Sequence, residues 1–264
     1  MRIASIQLEM IEGESKNSRI NNATKKIDKA ALNNQDQPDI DLILLPELWN
    51  VGFFEHQRFK KEAESLDGPT YNALAEKALE YNTYIYGGTI VEKADGNLYN
   101  TALFIDRKGE LLAKYRKIHL FTYFGAKEGD YITPGSEPVV VKTELANFGL
   151  STCYDLRFPE LYRQEAEAGA EIFLVTACWS FPRLENWVVL NQARAAENVA
   201  YLISCNTAGK VSGETHLGHS MVVDPWGIQI ASAGSKKGIV TAEIDPAYVK
   251  KTRNEFPALK DKKL

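Results

Sequence analysis

Apolar positions recur along the chain in two alternating periods. Arg2–Leu8 reads as a strand. Residues Ser15 to Leu32 carry Ile20, Ala23, Ile27, Ala30 and Ala31 at spacings near three and four, which predicts an amphipathic helix. After a polar break at Asn33 to Pro38, Ile40 to Leu45 reads as a strand of the kind covered on both faces. It stops at Pro46, and Glu47 follows directly. Asp67-Gly-Pro-Thr70 opens a second helix, carried by Leu74, Ala75, Ala78 and Leu79. Strands are predicted at Tyr84–Val91, Leu98–Ile105 and Glu110–Lys117, with turns at Asp95-Gly96-Asn97 and Asp106–Gly109.

Ile118 to Ser136 is a long irregular stretch rich in Gly and aromatics, and loops of that length are usually functional. Short strands at Val139–Val141 and Leu145–Ser151 lead to Cys153. A helix signal follows at once, with Pro159 and Glu160 in its first turn and small or apolar positions to Gly169. Then come strand Glu171–Thr176, helix Leu184–Asn198 and strand Ala200–Cys205. A hairpin turns around Pro225-Trp226-Gly227, between Met221–Asp224 and Gln229–Ala233, and strand Ile239–Ile244 leads to a basic tail. Alternating strands and helices, with hairpins between and after, favour one α/β domain with a mixed sheet. Two packed sheets covered by helices would suit so many short apolar strands.

Composition narrows the class. The chain has 264 residues, 44% hydrophobic and 25% charged, with net charge -4 and both signs spread along it. That is an ordinary globular composition without a nucleic-acid footprint. Three cysteines cannot all pair with one another and none are in C-x-x-C spacing, which favours a reducing compartment; the expected location is the cytoplasm. Met1–Leu8 is a strand pattern without a signal-peptide cleavage site, and no stretch approaches the ~20 apolar residues of a membrane span.

The candidate chemistry lies where strands end. Glu47, Lys117 and Cys153 each follow an apolar strand closely, and in α/β sheets ligands collect at the carboxyl ends of strands. Cys153 sits on a sharp strand-to-helix turn, which lifts a side chain out of the sheet and aims backbone N–H groups at what it attacks. A base, a fixed positive charge and a thiol nucleophile suffice for acyl transfer. The competing readings are a buried structural cysteine and a structural ion pair or solvated strand ends for Glu47 and Lys117. A Cys–His mechanism would use His119, which reads instead as a loop histidine. His216 and His219 form H-x-x-H without a third ligand nearby, so they read as structural. Cys178 and Cys205 sit on apolar strands and read as core thiols, with Cys178, next to Trp179, also a candidate for the pocket wall.

Five segments carry a family resemblance: Leu44-Leu-Pro-Glu47-Leu-Trp49, Tyr115-Arg-Lys117-Ile-His-Leu-Phe121, Ser151-Thr-Cys153-Tyr-Asp-Leu-Arg-Phe-Pro-Glu160, Lys127-Glu128-Gly129 followed by Pro134-Gly135, and Asn191-Gln-Ala-Arg-Ala-Ala-Glu-Asn198 with Ser204-Cys-Asn206. Together they resemble the nitrilase superfamily of carbon–nitrogen hydrolases from Arg2 to about Ile244. The resemblance implies an α-β-β-α sandwich, a Glu47–Lys117–Cys153 triad, and Glu128 as a second glutamate positioning the lysine or the substrate amide. It further implies an oxyanion hole of Lys117 and the Tyr154 N–H, no metal or organic cofactor, and subunits paired as a homodimer. Residues 1–245 would be the hydrolase domain and 246–264 a tail at the subunit contact or surface.

Within the superfamily the chain looks most like omega-amidases, which act on 2-oxoglutaramate and related dicarboxylic acid monoamides. The hints are Cys153–Leu161, Trp179-Ser-Phe-Pro-Arg183 before Trp187, and Phe256-Pro-Ala-Leu-Lys-Asp261. The alternatives are a deaminated glutathione amidase, an N-carbamoyl hydrolase, a nitrilase, or a non-catalytic family member acting as a binding partner. A small amide is the expected partner, not nucleic acid or membrane. Its free carboxylate needs a cation, for which Arg157 is the candidate, with Arg183 and Lys210 behind it; the alternative for Arg157 is an internal pair with Asp155 or Glu160. Trp179 and Phe124 are the other candidate substrate contacts, although Trp179, with Phe181 and Trp187, also reads as core.

Overall fold

The computed structural model describes residues 1–32, 37–123 and 126–263. Most of the polar break at 33–38 lies outside the described residues. Two six-stranded sheets make up the body. In the first, Arg2–Gln7, Leu42–Leu44 and Tyr84–Ala94 run parallel, flanked by antiparallel Gly238–Glu243 on one side and Asn97–Ile105 and Leu111–Arg116 on the other. The second repeats the plan. Tyr201–Asn206, Ile172–Ala177 and Asn147–Thr152 run parallel, between Gln229–Ser232 and Met221–Val223 at one edge and Val140–Lys142 at the other.

The sheets pack face to face because alternate side chains on each strand are apolar. Ile3, Leu42, Leu44, Tyr86 and Phe104 share a core with Phe148, Leu150 and Leu174 of the other sheet. The rings of Phe104 and Phe148, both fully buried, meet at 5.5 Å. Each such side chain taken from water stabilises the fold by about 1.5–3 kcal/mol. Intervening positions of the first sheet, Ala4, Ile6, Ile43, Leu45 and Ile85, face the helices Lys16–Ala31 and Pro69–Tyr81 through Ile20, Ala23, Ile27, Leu74 and Ala78. The first of these helices starts where Ser15 caps the Ser18 N–H at 3.2 Å. Helices Pro159–Glu167 and Leu184–Asn198 add Leu161, Tyr162, Trp187 and Ala195 to the other core. The layers therefore run helix, sheet, sheet, helix, and Leu42–Leu44 is apolar throughout because both its faces are covered.

Three features depart from the sequence reading. Between Cys153 and the helix at Pro159 the chain forms a 3-10 turn, Cys153–Arg157, where a direct strand-to-helix junction was expected. Glu9–Ile11, Ala208–Val211 and Glu214–Leu217 form a small third sheet that the pattern does not announce. Beyond Ile244, Pro246–Glu255 is a helix capped by Asp245, with Val249 and Thr252 buried. Arg253 fixes it by donating to the carbonyls of Ala170, Asn198 and Val199 at 2.8–3.1 Å. Two of these lie at the end of helix Leu184–Asn198, where unsatisfied carbonyls favour a cation.

Candidate active site

Glu47 is delivered to the gap between the sheets by a tight approach of two chain segments. Gly88 has φ +66°, and a Cβ there would stand 2.0 Å from the Pro46 carbonyl oxygen, so only glycine fits. The indole of Trp49 donates to the Gly87 carbonyl at 2.9 Å, and the Thr89 hydroxyl accepts from the Leu48 N–H at 2.8 Å. The Glu47 carboxylate is fully buried. Its Oε1 accepts from Lys117 Nζ and Asn100 Nδ2, both at 2.8 Å, and its Oε2 accepts from the Cys178 N–H at 3.0 Å.

Lys117 extends from the end of Leu111–Arg116. Its N–H donates to the Asn100 carbonyl at 2.8 Å, so strand pairing sets its place. Besides Glu47, its ammonium binds both oxygens of Glu128, at 2.9 and 3.1 Å. Glu128 opens the short helix Glu128–Tyr131, and its carboxylate also accepts from Asn100 Nδ2 at 2.8 Å and the Phe121 N–H at 2.7 Å. Burial alone would disfavour the ammonium, but Glu128 and Glu47 outweigh it and hold the Lys117 pKa well above its ordinary value. Burial, helped by Glu47 and opposed by Lys117, raises the Glu128 pKa. The result is a lysine fixed as a cation between two carboxylates, out of contact with bulk water.

Cys153, 7% exposed and with φ +51°, lies near enough to Glu47 and Lys117 for both charges to act on its thiol. A left-handed backbone costs a non-glycine residue roughly 1–2 kcal/mol; strain of this kind concentrates at functional turns. Burial, and after it the Glu47 charge, push the Cys153 thiol pKa well up, with Lys117 pulling the other way. The resting sulfur is thus a protonated thiol that needs a base to become a nucleophile. The turn is held by Asp155, which is fully buried and accepts from the Thr152 N–H at 2.9 Å, the Tyr115 hydroxyl at 2.6 Å and the His119 N–H at 3.0 Å. His119 Nδ1 lies 2.8 Å from the same carboxylate, and the ring stacks on Phe158 at 3.6 Å. One side chain thereby ties the segment carrying Lys117 to the turn carrying Cys153.

Asp155→Asn should expose this tie. An amide presents a donor where some of these N–H and O–H groups need an acceptor, and each buried group left unpaired costs about 1–3 kcal/mol. The expected outcome is a lowered Tm and a kcat about 10- to 100-fold down with KM little changed, because small displacements of reacting groups cost rate steeply. Steady-state kinetics and thermal melts measure both. Unchanged kcat in a destabilised variant would assign Asp155 to folding alone.

Beside Cys153 a small pocket is walled by Phe53, Phe54, Phe121, Tyr154, Trp179 and two arginines, Arg157 and Arg183. Arg157 does not pair with Asp155 or Glu160; it donates to Asn186 Oδ1 at 3.3 Å, and its guanidinium lies 4.9 Å from the Trp179 ring centre. Trp179 belongs to the core and to the cavity wall together, with its indole N–H on the Arg183 carbonyl at 3.2 Å. Phe124 lies outside the described residues.

Comparison with known proteins bears on this arrangement. Residues 2–254 match the family described as Carbon-nitrogen hydrolase. The chain belongs to the carbon–nitrogen hydrolase family. A protein of Paenarthrobacter nicotinovorans named 2-oxoglutaramate amidase is 38% identical over 84% of this chain and 78% of its own length. One of Synechocystis named deaminated glutathione amidase is 37% identical over 83% and 85%. The crystal structure of Saccharomyces cerevisiae Nit3, a member of branch 10 of the nitrilase superfamily, superposes with a TM-score of 0.88 at 30% identity, covering 97% of this chain and 94% of that one. The fold is the α-β-β-α sandwich of the nitrilase type.

In this carbon–nitrogen hydrolase, Glu47, Lys117, Glu128 and Cys153 come to one place, and Arg157 and Trp179 line the adjoining cavity. Lys210 does not line it. His119 is committed to Asp155, and His216 is buried with Nδ1 2.7 Å from the Thr207 hydroxyl and 3.5 Å from Cys178 Sγ. Burial lowers the His216 pKa to about 4, so it is neutral at physiological pH. Asn100 escapes the sequence reading although it bridges both glutamates. The structure alone marks it, as a fully buried amide inside the strand Asn97–Ile105, where buried polar groups require dedicated partners.

Proposed function

We propose that this hydrolase cleaves the terminal amide of small dicarboxylic acid monoamides such as 2-oxoglutaramate, giving the acid and ammonia through a thioester on Cys153. The observation that carries the proposal is the buried Glu47–Lys117–Glu128 cluster, tied through the Cys178 N–H to a small pocket that Cys178, Cys153 and Arg157 line, with the Glu47 and Lys117 charges acting on Cys153. Glu47 takes the thiol proton as sulfur attacks the amide carbon. The oxyanion is held by Lys117 Nζ and the Tyr154 N–H, and losing one such donor typically costs about 10²–10³ in rate. As the intermediate collapses, the C–N bond breaks and Glu47 returns the proton to departing ammonia. Water, deprotonated by Glu47, then attacks the thioester, and its proton ends on the released thiol. Glu128 and Asn100 keep the lysine and the base in register. Arg157 holds the distal carboxylate.

The name of the Paenarthrobacter relative supports this substrate class. The Synechocystis relative makes deaminated glutathione the second reading. We also propose a homodimer in the cytoplasm, with a small amide and no nucleic acid as partner. Residues 1–245 would supply the catalytic domain and the tail 246–264 part of the subunit contact. Exposed Val189, Trp226, Ile228, Ile230 and Phe256 support an apolar contact there, with Trp226 and Phe256 at 5.4 Å. No helix among the described residues is long and apolar enough to cross a membrane.

The test is ammonia release across 2-oxoglutaramate, succinamate, deaminated glutathione, an N-carbamoyl compound and a nitrile, with intact-mass detection of an acyl adduct on the protein. Turnover confined to the last three would overturn the assignment. In Arg157→Lys, KM for succinamate should rise about 10-fold with kcat nearly unchanged, because an ammonium cannot reproduce the bidentate guanidinium–carboxylate pair. An unchanged KM would mean that the carboxylate binds elsewhere.

A further inference from the structure

Two neighbouring parallel strands of the second sheet lead out to cysteines. Asn147–Thr152 and Ile172–Ala177 are paired with Thr152 opposite Thr176. Cys153 is the next residue on one strand, and Cys178 is the second on the other. A ladder spacing of ~4.8 Å and an offset of one residue, ~3.3 Å, put their Cα atoms roughly 6 Å apart, inside the ~4.4–6.8 Å that a disulfide spans. Both residues line the same pocket, and both the N–H and the thiol of Cys178 act on the Cys153 sulfur. All three thiols of the chain are free. Cys205 is placed differently. Its thiol donates to the carbonyls of Ile6 at 3.2 Å and Leu44 at 3.5 Å, away from the pocket. The Cys178 sulfur instead lies 3.5 Å from Nδ1 of the neutral His216. From there it changes position by rotation between staggered wells.

A cysteine whose proton a nearby base can take attacks an amide carbon and, by the same activation, a hydroperoxide. With hydrogen peroxide as oxidant, Glu47 takes the thiol proton and the Cys153 sulfur attacks one peroxide oxygen. The O–O bond breaks, and the departing hydroxide recovers the proton from Glu47 as water. The sulfur is oxidised to a sulfenic acid and the peroxide is reduced. A sulfenic acid left alone goes on to a sulfinic acid, which thiols do not reverse. We propose that Cys178 is the resolving partner of Cys153, and that the pair is an oxidative modification site for hydroperoxides. The Cys178 sulfur attacks the sulfenic sulfur, the S–S bond forms and the S–O bond breaks, and hydroxide leaves with the Cys178 proton as water. The disulfide takes the nucleophile out of the pocket. A dithiol reductant returns both thiols by exchange. Disulfides of reducing compartments are ordinarily of this transient kind.

The test starts with wild-type protein exposed to hydrogen peroxide, quenched with catalase, denatured in N-ethylmaleimide and weighed intact. Labelling should fall from three thiols to one. After proteolysis the Cys153 and Cys178 peptides should be found joined, and dithiothreitol should separate them. Ammonia release should be lost as the bond forms and return on reduction. In Cys178→Ser the same exposure should carry Cys153 to the sulfinic acid, two oxygen atoms heavier. Dithiothreitol should then restore at least about fivefold less activity than in wild type, each protein being compared with its own untreated rate. Three results would overturn the inference: sulfinic acid on wild-type Cys153 with no joined peptide, a bridge that includes Cys205, or recovery of Cys178→Ser as complete as that of wild type. The mass readings stand whichever amide the enzyme cleaves, so a wrong substrate assignment shows separately, as wild-type protein that forms the bond but releases no ammonia from 2-oxoglutaramate.

Discussion

Cys153→Ala is expected to lower kcat for ammonia release from 2-oxoglutaramate by at least ~10⁴-fold, the scale on which single nucleophile deletions act in covalent catalysis. The same variant should melt within a few degrees of wild type. Alanine keeps the Cβ, so the strain of the φ +51° turn is unchanged, and Asp155 still holds the Thr152, Tyr115 and His119 donors. Only the sulfur is removed, from a site that is 7% exposed. Chemistry and folding therefore separate in this substitution, as they would not in Cys153→Gly, which relaxes the backbone as well. No acyl adduct should appear by intact mass. Ammonia release at more than about a hundredth of the wild-type rate would remove the thioester from the mechanism.

Much of this fold is legible in the chain because burial on two faces leaves a strong pattern. Leu42 and Leu44 face the opposite sheet while Ile43 and Leu45 face helices, so the segment has no polar position to obscure it. The small sheet of Glu9–Ile11, Ala208–Val211 and Glu214–Leu217 leaves none. Its strands have three or four residues and several polar positions, and they form where Ala208 donates to the Leu8 carbonyl at 2.8 Å, a contact that exists only after the sheets meet. Helix Pro246–Glu255 is similar: with only Val249 and Thr252 buried, its apolar stripe is faint, and Arg253 docks it through carbonyls that only the folded chain assembles. At the site, strand ends make Glu47, Lys117 and Cys153 visible as candidates. Asn100 is invisible because nothing local distinguishes a bridging amide from one on a solvated strand face. Arg157 shows the limit of spacing. Asp155 and Glu160 are its obvious partners in sequence, yet Asp155 is already occupied by Tyr115 and His119 of the segment carrying Lys117.

Lys117→Met carries the largest combined effect on rate and stability. Methionine matches the lysine stem in volume but leaves Glu47 and Glu128, both fully buried, without the ammonium that lies 2.8 Å from one and 2.9 Å from the other. Breaking a buried ion cluster from one side costs about 3–5 kcal/mol. Asn100, the Cys178 N–H and the Phe121 N–H remain, but they supply no full charge. Catalysis should fall by at least the ~10²–10³ associated with a lost oxyanion donor.

The dependence on pH distinguishes this account from simple loss of packing. Burial and Glu47 already raise the Glu128 pKa, and in wild type Lys117 pulls against them. Without that pull the folded-state value rises further above the ~4.3 of an unfolded glutamate. The folded variant then binds more protons than its unfolded chain, so its stability decreases as pH rises through the interval between those two values. The stability deficit relative to wild type should accordingly be smaller at pH 5 than at pH 8. Urea unfolding of both proteins at the two pH values measures it. Equal deficits would show that the glutamates do not face one another as charges, and the acid–ammonium–acid arrangement would lose its electrostatic meaning.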